Sequence, residues 1–151
     1  MRPRLAPKAS LSFAIVASQY NARFTQPLVD NAFRELNSLE PGATVSLVSA
    51  PGSFEIPLMV QSLAEIDRYQ AILALGVIVQ GETAHATFIV QSVSNSLLEI
   101  SLAHRVPVIH GVLLVKNEEQ ARVRCIEQEF NRGVEAARAA VAAARTLREI
   151  K

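Results

Sequence analysis

Nine consecutive apolar residues, AILALGVIV at 71–79, constrain the fold more than any other stretch of this sequence. A strand with one face in water alternates apolar and polar side chains, whereas this run has no polar position on either face. We therefore predict a strand that is buried on both faces, within a parallel sheet. Further apolar stretches at 11–18, 44–50 and 106–115 are predicted to be its neighbouring strands.

Helical patterns separate the predicted strands. After the first strand, Thr25 is predicted to cap a helix and Pro27 suits the first turn of that helix. Asn117 and Gln120 form a predicted capping pair at a later helix start. The stripes predicted to face the core in the first and third helices are Leu28, Val29, Ala32, Phe33 and Leu36, and Phe88, Ile89, Val93, Leu97 and Ile100.

The order of the elements defines the fold class. The third predicted helix runs from 83 through 103, and the others beyond the first span 56–66, 118–127 and 134–150. Strands and helices then alternate as βαβαβαβαα, which is typical of parallel strands joined by helical crossovers. We predict an α/β protein, a flavodoxin-like three-layer αβα sandwich around a central four-stranded parallel sheet.

The composition argues against a nucleic-acid-binding protein and against a membrane protein. Only 19% of the residues are charged and the net charge is +1, so no nucleic-acid partner is expected. No apolar stretch approaches the roughly 18 residues that span a bilayer, so no membrane association is expected and the cytoplasm is the default location. The length of 151 residues predicts one domain at 11–151, preceded by a flexible basic leader at 1–10.

Metal chemistry is not expected from the residue types present. Cys125 is the single cysteine, which excludes an intrachain disulfide, and the three histidines are scattered rather than clustered at metal-ligand spacing. Cys125 is more typical of a packed small apolar residue than of a nucleophile. His104 is predicted to lie at a helix end, where its charge is favourable.

The segments that follow the four strands are where a binding site is expected. In open parallel sheets, ligands bind outside the carboxyl ends of the strands. The four segments are SQYN, APGSFE, QGETAH and KNEEQ. They bring an aromatic ring, a carboxylate, a histidine and two helix starts to one edge of the predicted sheet.

The segment QGETAH combines a helix start with a histidine. Backbone N–H groups at Gly81, Glu82 and Thr83 would face the rim with the positive end of the helix dipole behind them, which suits phosphate. A single glycine at such a turn is also ordinary turn chemistry. His85, about one residue into the helix, titrates in the range useful for proton transfer, yet taken alone it is more typical of an exposed first-turn residue.

The other rim side chains are individually ambiguous. Tyr20 and Phe54 can sandwich a planar ring, although aromatic residues beside a sheet are more often part of the core. Glu55 can bind the hydroxyl groups of a sugar or polyol, and is equally favourable as a carboxylate near a helix start. Arg124 can bind phosphate through two hydrogen bonds, although most helical arginines are solvated.

Five ordered motifs carry a resemblance to a known family. They are Tyr20-Asn21, PGSFEIP at 51–57, GETAH at 81–85, NEEQA at 117–121 and NRGVEAA at 131–137. With these motifs the chain resembles lumazine synthase, which acts in the penultimate step of riboflavin biosynthesis. The resemblance implies condensation of 5-amino-6-(D-ribitylamino)uracil with 3,4-dihydroxy-2-butanone 4-phosphate to 6,7-dimethyl-8-ribityllumazine. Phosphate and water would be released, with no metal or organic cofactor.

The resemblance also implies roles for the rim residues and a homo-oligomer. His85 matches the proton-transfer histidine, and Arg124 matches an arginine that binds phosphate from a neighbouring subunit. The implied phosphate-binding turn is Gly81, Glu82 and Thr83. Such sites lie between the subunits of a pentamer, which can assemble into decamers or sixty-subunit shells. The implied contacts to the pyrimidine and its ribityl chain are Tyr20, Ser53, Phe54, Glu55, the backbone of Ile78 and Val79, and His110.

Several positions depart from the common family pattern. Gln80 and Gln128 replace a frequent arginine and a frequent lysine, and Val115-Lys116 replaces a threonine and an acidic residue. His110 replaces a phenylalanine that often packs against the substrate; it can stack in the same way, add a second titrating group, or simply pack in the strand. These departures support an alternative, a catalytically weak riboflavin- or lumazine-binding or shell-forming homologue. A further alternative, based on the helix-start turn alone, is an unrelated flavodoxin-like protein with a phosphate ligand. The intact proton-transfer and phosphate residues favour the active enzyme.

Overall fold

A four-stranded parallel sheet forms the middle layer of the protein, in a computed structural model that describes residues 10–81 and 85–150. The strands are β1 Ser12–Ser18, β2 Thr44–Ala50, β3 Ala71–Val79 and β4 Val108–Val115. They lie in the order β2-β1-β3-β4, and all neighbouring pairs are parallel. The predicted sheet and the predicted flavodoxin-like α/β class are confirmed.

Five helices within the described ranges cover the two faces of the sheet. They are α1 Ala22–Leu39, α2 Ile56–Glu65, α3 Ala86–His104, α4 Glu118–Cys125 and α5 Arg132–Ile150. Helices α1, α4 and α5 pack on one face, where their apolar residues form one core with the sheet. Helices α2 and α3 pack on the other face and form a second core. The three layers therefore arise from helices on both sides of one sheet.

Strand β3 explains why the two cores can coexist. All nine of its residues are buried, as the apolar run predicts. Side chains alternate along a strand, so Leu73 and Leu75 join the core under α1, α4 and α5, while Ile72 and Ala74 join the core under α2 and α3. Its position between β1 and β4 places its carboxyl end in the inner part of the rim formed by the ends of the four strands.

The start of α1 differs from the prediction. The helix begins at Ala22, so Thr25 lies inside it rather than at its N-cap, and Pro27 lies beyond the first turn. The N-cap is Asn21, which adopts the left-handed conformation with φ of 58°. Asparagine tolerates this conformation better than most residues, so the chain enters the helix four residues earlier than it would with Thr25 as the N-cap.

The start and one face of α3 also differ from the prediction. The helix begins at Ala86 with His85 as its N-cap, so His85 precedes the helix instead of lying one residue inside it. Phe88, predicted to face the core, is 64% exposed. It lies about 140° around the helix from buried Val93, because successive residues are about 100° apart. Phe33 of α1, also predicted to face the core, is 38% exposed.

Other predicted local features agree with the structure. Asn117 accepts the Gln120 backbone N–H (2.8 Å) and caps α4. Cys125 is buried, and His104 is the last residue of α3. Of the predicted leader at 1–10, only Ser10 is among the described residues. None of the helices in the described ranges is long and apolar enough to cross a membrane.

Candidate functional site

The carboxyl ends of the four strands form a continuous rim because neighbouring segments are hydrogen-bonded to one another. The Gln19 backbone N–H donates to the Ala50 carbonyl at the end of β2 (2.8 Å). The Gln80 backbone N–H donates to the Val115 carbonyl at the end of β4 (2.7 Å). The segments predicted to form a site therefore leave the sheet at the same edge.

The turn from β1 to α1 holds the backbone of Tyr20 and leaves its ring in solvent. The Tyr20 carbonyl accepts hydrogen bonds from the hydroxyl groups of Thr25 (3.2 Å) and Ser18 (3.4 Å). The next residue, Asn21, donates from its side chain to the Val77 carbonyl of β3 (2.8 Å). With its backbone fixed and its side chain 59% exposed, the Tyr20 ring is available to stack on a flat ligand.

The turn from β2 to α2 places Ser53, Phe54 and Glu55 in one short 3-10 turn. Ser53 is buried, whereas Phe54 is 61% exposed. Gly76 of β3 makes room for this turn, since a Cβ at Gly76 would lie 2.9 Å from the Ser53 Oγ. Sequence reasoning did not identify Gly76, because one glycine inside an apolar strand does not indicate which segment crosses over it.

The last two residues of β3, Ile78 and Val79, direct their peptide groups to different sides. Gln80 donates its backbone N–H to β4, whereas the Val77 carbonyl accepts from Asn21 on the β1 side. In a strand, the backbone N–H and C=O of one residue point to the same side, and this side alternates from residue to residue. The N–H and C=O of Ile78 therefore face β4, and those of Val79 face the β1 side. The pairing of β3 with β1 has ended before this point. The Val79 peptide therefore faces the opening of the rim near Tyr20.

The turn from β3 to α3 carries the predicted histidine. Gly81 adopts φ of 94°, a conformation that glycine accepts without strain. His85 is exposed, occupies the N-cap position and supplies no side-chain cap to α3. The predicted phosphate-binding residues Glu82 and Thr83 lie outside the described residues. The structure thus places Gly81 and His85 at the end of the central strand.

His110 lies away from the rim, near the middle of the edge strand β4, and contacts α3. The Val112 backbone N–H donates to its Nδ1 (3.2 Å), so a neutral ring carries its proton on Nε2. That nitrogen is 2.6 Å from the Ser94 hydroxyl, which itself donates to the Val90 carbonyl (2.6 Å). Partial burial of the ring lowers the pKa of His110. The geometry and the pKa both favour the neutral form.

The two arginines of α4 differ in their partners. Arg122 bridges Glu119 and Glu127, each at 2.5 Å. Arg124 is half-buried and forms no ion pair with any carboxylate in the described part of the chain. Its guanidinium is therefore the one of the two that can bind an anion without first losing a carboxylate partner.

The predicted site residues form two groups in a single chain. One group lies at the rim, at the ends of β1, β2 and β3, and contains Tyr20, Ser53, Phe54, Glu55, Ile78, Val79, Gly81 and His85. His110 and Arg124 lie outside it and on opposite faces of the sheet, since His110 contacts α3 and α4 packs on the other face. Residues 10–81 and 85–150 contain no group of three His, Cys, Asp or Glu side chains suited to a metal ion.

Comparison with known proteins gives a consistent result. The sequence profile of the family described as 6,7-dimethyl-8-ribityllumazine synthase matches residues 10–148. A 6,7-dimethyl-8-ribityllumazine synthase from Coxiella burnetii (strain Dugway 5J108-111) is 37% identical over 145 residues, covering 95% of this chain and 96% of the relative.

Two further relatives come from other bacteria. A 6,7-dimethyl-8-ribityllumazine synthase 1 from Caulobacter vibrioides is 39% identical over 139 residues, covering 91% of each chain. A 6,7-dimethyl-8-ribityllumazine synthase from Streptomyces coelicolor is 42% identical over 145 residues, covering 93% of this chain and 87% of the relative. In each comparison, the similarity therefore extends over nearly the whole length of this chain and of its relative.

Proposed function

The chain belongs to the 6,7-dimethyl-8-ribityllumazine synthase family. We propose that the rim of its sheet binds the substrates and forms one part of a lumazine synthase active site. The chain is a transferase of riboflavin biosynthesis. The observation that supports the site most strongly is the position of His85. It is the N-cap residue of α3, the helix that follows β3 in the chain, and its side chain does not cap this helix.

The pyrimidine substrate occupies the part of the rim between β1 and β3. The exposed rings of Tyr20 and Phe54 offer flat apolar surface for its heterocycle. The Val79 peptide faces the same opening and can hydrogen-bond polar groups of the ring. Ser53 and Glu55 lie on the same short turn as Phe54 and bind the ribityl hydroxyl groups. This arrangement satisfies both the flat and the polyol parts of the substrate.

The phosphate of the second substrate binds at the start of α3. The first N–H groups of a helix lack intrahelical partners and attract anions. Gly81, Glu82 and Thr83 form the proposed turn around the phosphate. Arg124 supplies the counter-charge, and its lack of a carboxylate partner among the described residues supports this role.

His85 moves the protons that the condensation requires. The 5-amino group of the pyrimidine attacks the ketone and forms an imine with loss of water, and phosphate then leaves by elimination. The ribitylamino nitrogen closes the ring on the second carbonyl carbon, whose oxygen leaves as a second water. Each step shifts a proton between neighbouring atoms, so one imidazole beside them can act repeatedly as acid and base. Holding both substrates in place contributes further, because intramolecular reactions of well-oriented groups gain several kcal/mol.

The complete site is proposed to lie between subunits of a pentamer. His110 and Arg124 are outside the rim group of their own chain and on opposite faces of its sheet, which fits residues that serve a neighbouring subunit. Large apolar side chains on α3, including Leu98 and Leu102, are more than half exposed and are suited to subunit contacts. Light scattering at micromolar concentration tests this proposal, and a monomer would contradict it. The cytoplasmic location stays a prediction.

The two-substrate assay tests the proposed function. Purified protein mixed with both substrates should form lumazine, detected by its absorbance, and release phosphate faster than a reaction without enzyme. Tight binding of riboflavin or lumazine without turnover would instead identify the catalytically weak homologue. Failure to bind any ribitylated pyrimidine or lumazine would revive the unrelated phosphate-ligand protein.

A further inference from the structure

The asparagine of the NRGVEAA motif, Asn131, connects α4 to α5 and lies outside the group of residues at the rim. We propose that Asn131 is a positioning residue that holds Arg124 where the phosphate of the substrate binds. This inference rests on the proposed phosphate role of Arg124. It extends the site from groups that touch the substrate to the buried amide that fixes one of them.

Asn131 uses its whole side-chain amide in the link. The residue is 2% exposed. Its Oδ1 accepts the backbone N–H groups of Gly133 (3.0 Å) and Val134 (3.1 Å), which caps the start of α5. Its Nδ2 donates to the carbonyl groups of Cys125 (3.2 Å) and Glu127 (2.9 Å). One planar amide therefore joins the first turn of α5 to the end of α4.

The carbonyl of Cys125 is the important acceptor, because Cys125 directly follows Arg124. The last carbonyl groups of a helix have no intrahelical partners, and a helix end without other partners frays. Asn31 of α1 also donates to the Cys125 carbonyl (3.4 Å). The backbone next to Arg124 is thus held from α5 and from α1, which limits the positions that its guanidinium can reach.

The base of this link is itself rigid. Gly133 lies so close to α1 that a Cβ there would be 2.3 Å from the Leu28 carbonyl oxygen. The first turn of α5 therefore cannot shift toward α1 and cannot accept a larger residue without backbone movement. Asn131 transmits this fixed position to α4 through its two Nδ2 hydrogen bonds.

Asn131→Asp separates the link from the cap. An aspartate keeps an oxygen acceptor for the N–H groups of Gly133 and Val134, and a carboxylate is favourable at a helix start. It replaces the Nδ2 donor with an oxygen that faces the carbonyl groups of Cys125 and Glu127. Asn131→Ser is the second variant, since its hydroxyl can still cap α5 but is too short to reach α4.

The test measures the KM of each substrate separately, with Arg124→Ala and the double variants for comparison. Asn131→Asp or Asn131→Ser should raise the KM for 3,4-dihydroxy-2-butanone 4-phosphate about tenfold and weaken inhibition by inorganic phosphate similarly, with the pyrimidine KM within about twofold. In the Arg124→Ala background, either Asn131 change should raise the phosphate-substrate KM no further. Asn117→Ala is the control, because it removes a cap from the other end of α4.

The outcomes distinguish this inference from the proposed function. A rise of both KM values, or additive effects in the double variant, would overturn the positioning role and leave Asn131 a structural residue. If Arg124→Ala raises the phosphate-substrate KM and neither Asn131 variant does, the inference alone fails. If Arg124→Ala itself has no effect, the proposed phosphate role of Arg124 fails, and the inference fails with it.

Discussion

Two helices start at the same rim, and they differ in how their first N–H groups are satisfied. At α4, Asn117 accepts the Gln120 N–H (2.8 Å), and the Gln120 side chain accepts the Lys116 N–H (2.7 Å). At α3, His85 occupies the N-cap without providing a side-chain cap, and Gly81, with φ of 94°, lies four residues before it in the chain. The first start uses its donors internally, whereas the second is suited to an external anion.

An anion can bind at a helix start where the first N–H groups are not already used by a cap. A good N-cap stabilises a helix by about 1 kcal/mol, and this stabilisation is lost where the cap is absent. The histidine at that position in α3 provides no side-chain cap, and its proposed role is proton transfer. The comparison therefore predicts that α3 binds phosphate and that α4, which also follows a strand end at the rim, does not.

The largest expected effect comes from removing the histidine at the open start. His85→Ala should lower kcat about a hundredfold, because a positioned acid–base group typically contributes that much or more, while the pyrimidine KM changes only a few-fold. His104→Ala is the matched control, since His104 ends the same helix, and it should leave kcat unchanged. Equal losses in kcat and in pyrimidine binding for His85→Ala would contradict a proton-transfer role.

Adding a side-chain cap at the start of α3 should remove its expected advantage over α4 in binding phosphate. His85→Asp supplies a capping carboxylate to α3, so Tm should rise while inorganic phosphate loses its affinity about tenfold through repulsion. Thermal shift with increasing phosphate measures both effects without depending on catalysis. Unchanged stabilisation by phosphate in this variant would show that the anion does not bind at the start of α3.

Removing the Asn117 cap from the start of α4 should lower the stability of the protein without changing its affinity for phosphate. Asn117→Ala removes the acceptor of the Gln120 N–H and should cost about 1 kcal/mol of unfolding free energy, or about 2–4 °C in Tm. Urea unfolding measures the loss, and phosphate should protect the variant as much as it protects the original protein. A gain in phosphate affinity would mean that any uncapped helix start at this rim binds phosphate.

The smallest expected effect concerns the strand that leads to the capped start. Partial burial lowers the pKa of His110, so the unfolded chain takes up the proton first as the pH falls. The stability from this residue is present above about pH 6.5 and is lost as the pH falls through the lower, folded-state pKa. His110→Phe should reduce the loss of stability between about pH 7.5 and pH 5.5 in urea unfolding. An identical loss in both proteins would rule out His110 as its source.

The fold was predictable from the sequence because its main cause is visible there. The apolar run of β3 requires burial on both faces, and a parallel sheet with helices on both sides satisfies that requirement. The pair Asn117 and Gln120 was predictable for a similar reason, since both partners lie within one turn. Segments that follow parallel strands all lie at the same edge of the sheet. Tyr20 and His85 each follow a predicted strand, so their location at the rim could be predicted from the sequence.

The rest depends on contacts between distant segments. The hydrogen bond from Asn21 to Val77 joins residues that are far apart in sequence, so no local pattern indicated that Asn21 rather than Thr25 starts α1. Phe88 was assigned to the core because it is apolar, yet the angular position of Val93 decides which side of α3 meets the sheet. The partners of Asn131 are backbone N–H and carbonyl groups, which do not depend on side-chain identity and so leave no pattern in the sequence.

The buried Cys125 makes the junction of α1, α4 and α5 open to direct observation. It is the only thiol in the chain, and burial raises its pKa to about 11, so we expect the folded protein to resist alkylation at neutral pH. Labelling can then proceed only through transient opening of the helix junction next to Arg124. The alkylation rate of the unmutated protein would therefore measure how often this junction opens, which is the motion that would displace Arg124 from its proposed position at the phosphate.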